Sequence, residues 1–247
     1  MESIVNRTVA EIVAEDYKTA DVFKKYGIDF CCGGHTSVSE VCDKKKINLS
    51  DLERELSRIS LMATASNNFN GWELDFLIDY IITVHHSYVT ENIPRIKGYA
   101  DKVAKVHGHH YKEVVEIKTL FDNVAEELMQ HMHKEENILF PFIKELVIAH
   151  DEKKSLRNIP FGTIHNPIRM MELEHENAGA TFKMIVRISN DYTPPPEGCN
   201  TYNVLYSKLR EFEEDLHKHI HLENNILFPK AIRLSDNVMR ITSMREH

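Results

Sequence analysis

The chain has 247 residues, of which 42% are hydrophobic and 28% are charged, enough for one sizeable core and a small appendage. A net charge of -8 and a pI near 6.0 argue against nucleic acid as a partner. No run of eighteen apolar residues occurs, and no cationic segment precedes an apolar one at the N-terminus, so we expect no membrane partner and a cytoplasmic location. The four cysteines are then expected to be thiols.

The helical signal has no rival along the chain, and the expected fold class is all-α. Residues 1–60 predict a small helical domain, with a capping box at Thr8 to Glu11, a helix end near Gly27 and a helix over about 49–59. Residues 61–71 lose periodicity and read as a linker. Residues 72–247 predict an antiparallel four-helix bundle.

One pattern occurs twice in the bundle region. Residues 126–141 read EELMQHMHKEENILFP and residues 214–229 read EDLHKHIHLENNILFP, with ten identities in sixteen positions. Each copy carries a His and, four residues later, a Glu, a spacing that stacks both side chains on one helix face. The repeat therefore predicts a site for two metal ions. The proline that closes each copy predicts a kink or a helix end nearby.

The apolar stripe of each copy selects the histidines. His131 and Glu135 fall on a stripe formed by Leu128, Met132, Ile138, Leu139 and Phe142. His219 and Glu223 fall on the stripe formed by Leu216, Ile220, Ile226, Leu227 and Ala231. His133 and His221 lie beside these stripes and are not expected to be ligands.

An acid lies four residues before the predicted ligand histidine of each copy, with Glu127 before His131 and Asp215 before His219. We expect these acids to orient the metal-binding histidines. Simple duplication without metal is the competing interpretation. A buried carboxylate costs several kcal/mol unless it is paired or binds a metal, and two equivalent ones favour metal.

Two further helices are expected to complete the ligand set. The helix from about Trp72 to Lys97 carries the doublet His85-His86, of which His86 fits the apolar stripe better, although His85 shares an edge with other apolar residues. The helix that begins near Asn166 places His175 on its stripe. The predicted ligands are four His and two Glu: His86, His131, Glu135, His175, His219 and Glu223.

Imidazole and carboxylate together suit iron, manganese or zinc. If Glu135 and Glu223 each bridge two ions and two His serve each ion, every ion has about four protein ligands and open positions. Such a site binds O2, NO or peroxide. Spacing alone leaves zinc open, but a bridged N/O site is typical of non-haem di-iron proteins.

The six residues resemble the ligand set of the hemerythrin-like domain. Upstream, the segment from Tyr26 to Gly34, which contains Cys31-Cys32-Gly33-Gly34, resembles the N-terminal signature of the iron-sulfur cluster repair di-iron family. This family is also called the regulator of cell morphogenesis and NO signalling family. A TPPPE loop at residues 193–197 adds to the resemblance. The resemblance implies a bacterial cytoplasmic protein with two irons, carboxylate-bridged and carrying an oxo or hydroxo bridge. It also implies repair of iron-sulfur clusters damaged by nitric oxide or oxidants, by supplying iron.

The thiols of Cys31 and Cys32 are the candidate transfer groups. Nearby glycines are expected to expose backbone amides that lower a thiol pKa, and the suggested roles are to accept iron, to dock on a damaged cluster or to carry an NO group. The alternative is a buried pair that packs a tight turn. Cys42 and Cys199 are expected to be structural, and Glu174 either lines an iron route or faces solvent.

Three functions are compatible with these residues. The first is iron donation to damaged iron-sulfur proteins, which predicts loss of function without loss of bundle metal when the cysteines are replaced. The second is catalysis at the di-iron centre, either NO reduction or peroxide removal, which predicts multiple turnovers. The third is a sensor or carrier that binds O2 or NO reversibly. Nothing in the residues requires a homodimer, although a dimer would be able to present the thiols of one chain to the other.

Overall fold

The computed structural model describes residues 4–61, 69–154, 156 and 161–245. Most of the predicted linker, residues 62–68, lies outside the described residues, and so does Pro160 in the loop between the second and third long helices. The described part of the chain contains helices and turns but no named strand, which confirms the all-α fold class. Within it, no helix combines the length and apolarity needed to cross a bilayer.

Four short helices occupy the N-terminal region: α1 (Val9–Glu15), α2 (Thr19–Lys25), α3 (Val38–Lys45) and α4 (Leu49–Leu61). The predicted capping box of α1 is present, since Glu11 N donates to Thr8 Oγ1 and Thr8 N donates to a Glu11 carboxylate oxygen. Helix α3 was not predicted, although Ser37 and Glu40 form a second capping box that the sequence displays.

Long helical segments follow. They are α5 (Leu74–Tyr80), α6 (Ser87–His107), α7 (Glu113–Lys134), α8 (Phe140–Asp151), α9 (His165–Ile188), α10 (Asn200–Leu222) and α11 (Phe228–Arg245). The short connection between α6 and α7 fits antiparallel neighbours.

Single π-helical turns join three pairs of these segments. They span Ile81–His86, Glu135–Leu139 and Glu223–Leu227. Each contains a predicted metal ligand, in keeping with the frequent occurrence of π turns at functional sites. The helices do not end at Pro141 or Pro229. Each proline lies in the first turn of the α-helix after the π turn, where a missing backbone N–H is tolerated.

The chain divides into two compact units. One comprises Met1–Leu77, Leu146–Leu156 and Ile220–His247, and the other comprises Ile78–Glu145 and Arg157–His219. In the second unit the four-helix core is built around Phe212 of α10. Its ring lies 5.4 Å from Phe121 of α7, 5.7 Å from Phe182 of α9 and 6.2 Å from Tyr88 of α6. Each fully buried phenylalanine contributes about 1.5–3 kcal/mol.

Candidate metal centre

All six predicted ligands lie together and are at most 2% exposed. Their donor atoms form two groups, within each of which every donor lies within 4.8 Å of the others. One group is His86, Glu135, His219 and Glu223, and the other is His131, Glu135, His175 and Glu223. Both carboxylates belong to both groups.

The histidines face each other in pairs. His131 Nε2 and His175 Nε2 are 2.9 Å apart, and His86 Nε2 and His219 Nε2 are 3.2 Å apart. Glu135 Oε2 lies 3.4 Å from His86 Nε2 and 3.3 Å from His131 Nε2. Glu223 follows His219 by one helical turn on the same continuous helix, which fixes the spacing of these two side chains.

Neighbouring carboxylates set the tautomers of two histidines. His131 Nδ1 donates to Glu174 Oε2 at 2.8 Å, and His86 Nδ1 donates to Glu136 Oε1 at 2.7 Å. A ring whose Nδ1 carries the proton presents a lone pair at Nε2, so both rings offer a metal ligand atom toward the centre of the cluster. The chemistry of this donor set fits two cations, which would balance the buried Glu135 and Glu223.

The orienting acids differ from those predicted from the sequence. Glu127 is exposed, and the acid that contacts His131 is Glu174 of α9. Asp215 contacts His85 Nδ1 at 2.9 Å instead of preparing His219. The expectation failed because an acid four residues before a histidine competes with acids from other helices, and tertiary packing decides which one reaches the ring. Glu136 was missed, since nothing in the sequence sets it apart from other exposed acids.

The structure also separates the two members of the doublet. His86 joins the cluster, whereas His85 belongs to neither donor group. The ring of His85 lies parallel to that of His219, with 5.9 Å between centroids and 8° between planes, and Tyr80 packs edge-on against its other side. His85 therefore supports the ring of His219 through packing.

Glu174 contacts His131 at the edge of the cluster. Its hydrogen bond from His131, followed by its ion pair with Lys134, lowers the pKa of its carboxyl to about 2. Glu174, Lys134 and His131 line a cavity of about 240 Å³. Glu174 is therefore a charged residue at the wall of a small cavity beside the cluster, and its place on a route to the metal stays a prediction.

The two histidines beside the stripes have different environments. His133 is exposed to solvent. His221 is fully buried, and this burial lowers its pKa to about 4. Neither belongs to a donor group. Ile138 was predicted in the buried stripe but is 51% exposed, while its counterpart Ile226 is 1% exposed.

The vicinal thiols lie in the loop between α2 and α3. Three backbone amides, those of Cys31, Cys32 and Gly33, donate to Asp29 Oδ1 at 3.0–3.2 Å. The amides were expected to lower a thiol pKa, but they are occupied by this carboxylate. The neighbouring Cys32 thiol, together with burial and the charge of Asp29, raises the pKa of Cys31 well above its ordinary value.

The remaining cysteines occupy different surroundings. Cys42 is buried in α3. Cys199 was expected to be structural and without a partner, but it is exposed and its Sγ lies 3.2 Å from His107 Nε2. This hydrogen bond, helped by backbone amides at the start of α10, lowers the pKa of Cys199 to about 7. No local pattern predicts this pair, because 92 residues separate its members.

Comparison with known families agrees with this geometry. Residues 77–231 match the hemerythrin HHE cation-binding domain, and residues 5–60 match a domain described as being of unknown function, DUF542. A probable iron-sulfur cluster repair protein of Haemophilus influenzae is 34% identical over 233 residues, which cover 93% of this chain and 98% of that protein.

Relatives in Yersinia are similarly close. The iron-sulfur cluster repair protein YtfE of Yersinia pseudotuberculosis is 32% identical over 228 residues, with 92% of this chain and 97% of the relative covered. The YtfE protein of Yersinia pestis has the same identity and coverage. Both domains and nearly the full length of these proteins are represented, so the chain belongs to the family of iron-sulfur cluster repair proteins that contain a hemerythrin-type cation-binding domain.

Proposed function

We propose that this protein is a non-haem di-iron protein that repairs iron-sulfur clusters damaged by nitric oxide or oxidants, and that it does so by donating iron. One observation carries the proposal: two donor groups, each with two histidines, share the carboxylates of Glu135 and Glu223. The names of the relatives support repair as the task.

The donor set favours iron as the cargo. Each position offers two imidazoles and two shared carboxylates, which suit a divalent or trivalent iron and leave room for an oxo or hydroxo bridge. A protein that stores iron tightly would close these positions with further ligands. A set of four histidines leaves both ions more open, as release requires.

The protein residues prepare the site for loading and release. Glu136 and Glu174 hold the protons of His86 and His131 at Nδ1, so that the opposite ring nitrogens bind cations without first losing a proton. Glu174 stays ionised down to about pH 2 and attracts cations to the cavity beside His131. When bound, the iron pair supplies both the cargo and an open site for NO or O2.

The acceptor in this proposal is a damaged iron-sulfur protein in the cytoplasm. Cys31 and Cys32 are the proposed transfer thiols, and Asn225 holds their loop by donating to the carbonyls of Phe30 and Cys31 at 3.1 and 3.3 Å. The loop is therefore fastened to the helix that carries Glu223. A homodimer remains an additional proposal, which a sizing measurement tests directly.

The test is transfer of iron to a [4Fe-4S] dehydratase whose cluster has been damaged by NO. Protein purified without oxygen and loaded with ⁵⁷Fe is expected to restore dehydratase activity and to leave ⁵⁷Fe in the rebuilt cluster. The Glu135→Gln variant is the matched inactive control. Glu126→Gln changes an exposed acid of the same helix and is expected to behave as the unmodified protein.

Other outcomes separate the alternatives. Release of N2O from NO over many turnovers, with iron retained, would favour NO reductase activity over donation. Reversible spectral changes with O2 or NO and no iron transfer would favour a sensor. Restored activity without ⁵⁷Fe in the cluster would overturn the proposal.

A further inference from the structure

We propose that Asp29, Cys31 and Cys32 form a separate binding site for one divalent transition-metal ion of the Fe²⁺ or Zn²⁺ class. The three side chains offer a carboxylate oxygen and two sulfurs, and these donor atoms all lie within 4.8 Å of one another. Softer sulfur ligands distinguish this site from the bundle, whose donors are nitrogen and oxygen.

The separation of the sulfurs matches chelation. Cys31 Sγ and Cys32 Sγ are 3.9 Å apart. Two thiolates at about 2.3 Å from one tetrahedral ion lie about 3.8 Å from each other. A disulfide requires about 2.05 Å, so the observed spacing fits two ligands of one ion and not a covalent pair.

The third ligand is held in place before any ion arrives. Asp29 Oδ1 accepts hydrogen bonds from the amides of Cys31, Cys32 and Gly33, and the Cys31 thiol donates to the same oxygen at 3.3 Å. A bound cation would take the place of that thiol proton beside the carboxylate. Binding converts two thiols to thiolates and releases two protons to water, and no electrons move.

The backbone of the loop keeps this arrangement compact. A Cβ atom added at Gly34 would lie 2.5 Å from the carbonyl oxygen of Phe30, closer than real contacts allow, so a side chain there would push the loop apart. Cys31 is 4% exposed, while Cys32 and Asp29 are partly exposed. One side of the site therefore faces solvent, from which an ion enters.

Three protein ligands leave one position of a tetrahedral ion open. Structural sites of this type are closed by four protein ligands, whereas an open position permits exchange with water or with another protein. The site therefore suits an ion in transit. Its occupation by Fe²⁺ on the way to a damaged cluster rests on the proposed function, but ion binding itself does not.

Cobalt titration of the full-length protein with iron already in the bundle tests the site. One equivalent of Co²⁺ is expected to produce a thiolate-to-cobalt charge-transfer band in the near ultraviolet, which bundle ligands cannot give because they contain no sulfur. The double variant C31S C32S is expected to lose this band, and Asp29→Asn is expected to weaken Co²⁺ binding while keeping the oxygen that caps the amides.

Cys42→Ser and Cys199→Ser are the matched controls and should retain the band. Iron content and helical circular dichroism show whether each variant keeps its bundle. Absence of the band in the unmodified protein, or its survival in the double variant, would overturn the proposal. The Glu135→Gln variant separates the two proposals, since it abolishes iron donation and leaves the cobalt band intact.

Discussion

The two copies of the repeated pattern share one face and differ on the other. His131 with Glu135 in the first copy and His219 with Glu223 in the second are buried in the same cluster. Two residues further along each copy the environments diverge, since Asn137 lies at the surface whereas Asn225 is half-buried and hydrogen-bonded to the loop of the vicinal thiols. The two copies therefore have equivalent residues in the cluster, whereas their asparagines have different surroundings.

The difference arises from the residues that pack against the helix face opposite the cluster. In the second copy the ring of His221 packs against Tyr17 and Phe30, with centroids 5.7 and 6.1 Å away, and Asn225 Nδ2 lies 2.9 Å from its Nδ1. In the first copy, among the residues that the structure describes, the side chain of Asn137 hydrogen-bonds to His133, one turn earlier on the same helix. Identical side chains are therefore expected to contribute differently to the free energy of unfolding in the two copies.

The largest expected effect falls on the shared face, where the copies should be equivalent. Glu135→Gln and Glu223→Gln are each expected to lose both irons, because each carboxylate belongs to both donor groups. The variants should stay folded, since a neutral amide costs less to bury than a carboxylate. Metal analysis checks this, with Glu126→Gln and Glu214→Gln as exposed controls from matched positions. Retention of both irons in either variant would break the equivalence.

A second test uses the matched isoleucines. Ile226→Ala is expected to lower the free energy of unfolding by about 2–5 kcal/mol because it leaves a cavity. Ile138→Ala is expected to change it by less than about 0.5 kcal/mol, since that side chain is 51% exposed. Denaturant unfolding of the metal-free proteins measures both. Equal decreases in the free energy of unfolding would mean that Ile138 and Ile226 are equally well packed, contrary to this prediction.

The matched asparagines sharpen the comparison. Asn225→Ala is expected to cost about 1–3 kcal/mol, because it removes the side-chain amide that donates to two backbone carbonyls of the thiol loop. Asn137→Ala should be nearly neutral. Amide hydrogen exchange locates the effect, which is expected as faster exchange in residues 29–34 of the first variant. Unchanged exchange there would show that Asn225 does not hold the loop.

The smallest expected effect concerns the rates at which the thiols of Cys199 and Cys31 are alkylated. Cys199, which precedes the helix of the second copy, should be alkylated with a half-maximal rate near pH 7, because the hydrogen bond from His107 stabilises its thiolate. The rate falls below that pH as the sulfur is protonated. Cys31 should react more slowly than Cys199 because it is buried and its pKa is raised. Peptide mapping after iodoacetamide checks the order, and His107→Ala should move the Cys199 midpoint upward.

Periodicity and duplication alone determined much of this protein. The 3.6-residue spacing places His131 above Glu135 and His219 above Glu223 whatever surrounds them, and a buried carboxylate in an apolar stripe requires a counter-charge. The all-α class and the helices near Thr8, Gly27 and Leu49 followed from these local rules. The apolar stripes also singled out the six residues that the packed chain brings together. Of the doublet, His86 belongs to a donor group and His85 does not, and the role of His86 as a metal ligand stays a prediction.

Tertiary structure decided what depends on contacts between distant segments. The acid that orients His131 comes from another helix, 43 residues away, and the partner of Cys199 lies 92 residues away. The exposure of Ile138 and the burial of Ile226 follow from what packs on each copy, since the residues themselves are identical. Local sequence fixes which side chains share a helix face, but only the packed chain determines what that face meets.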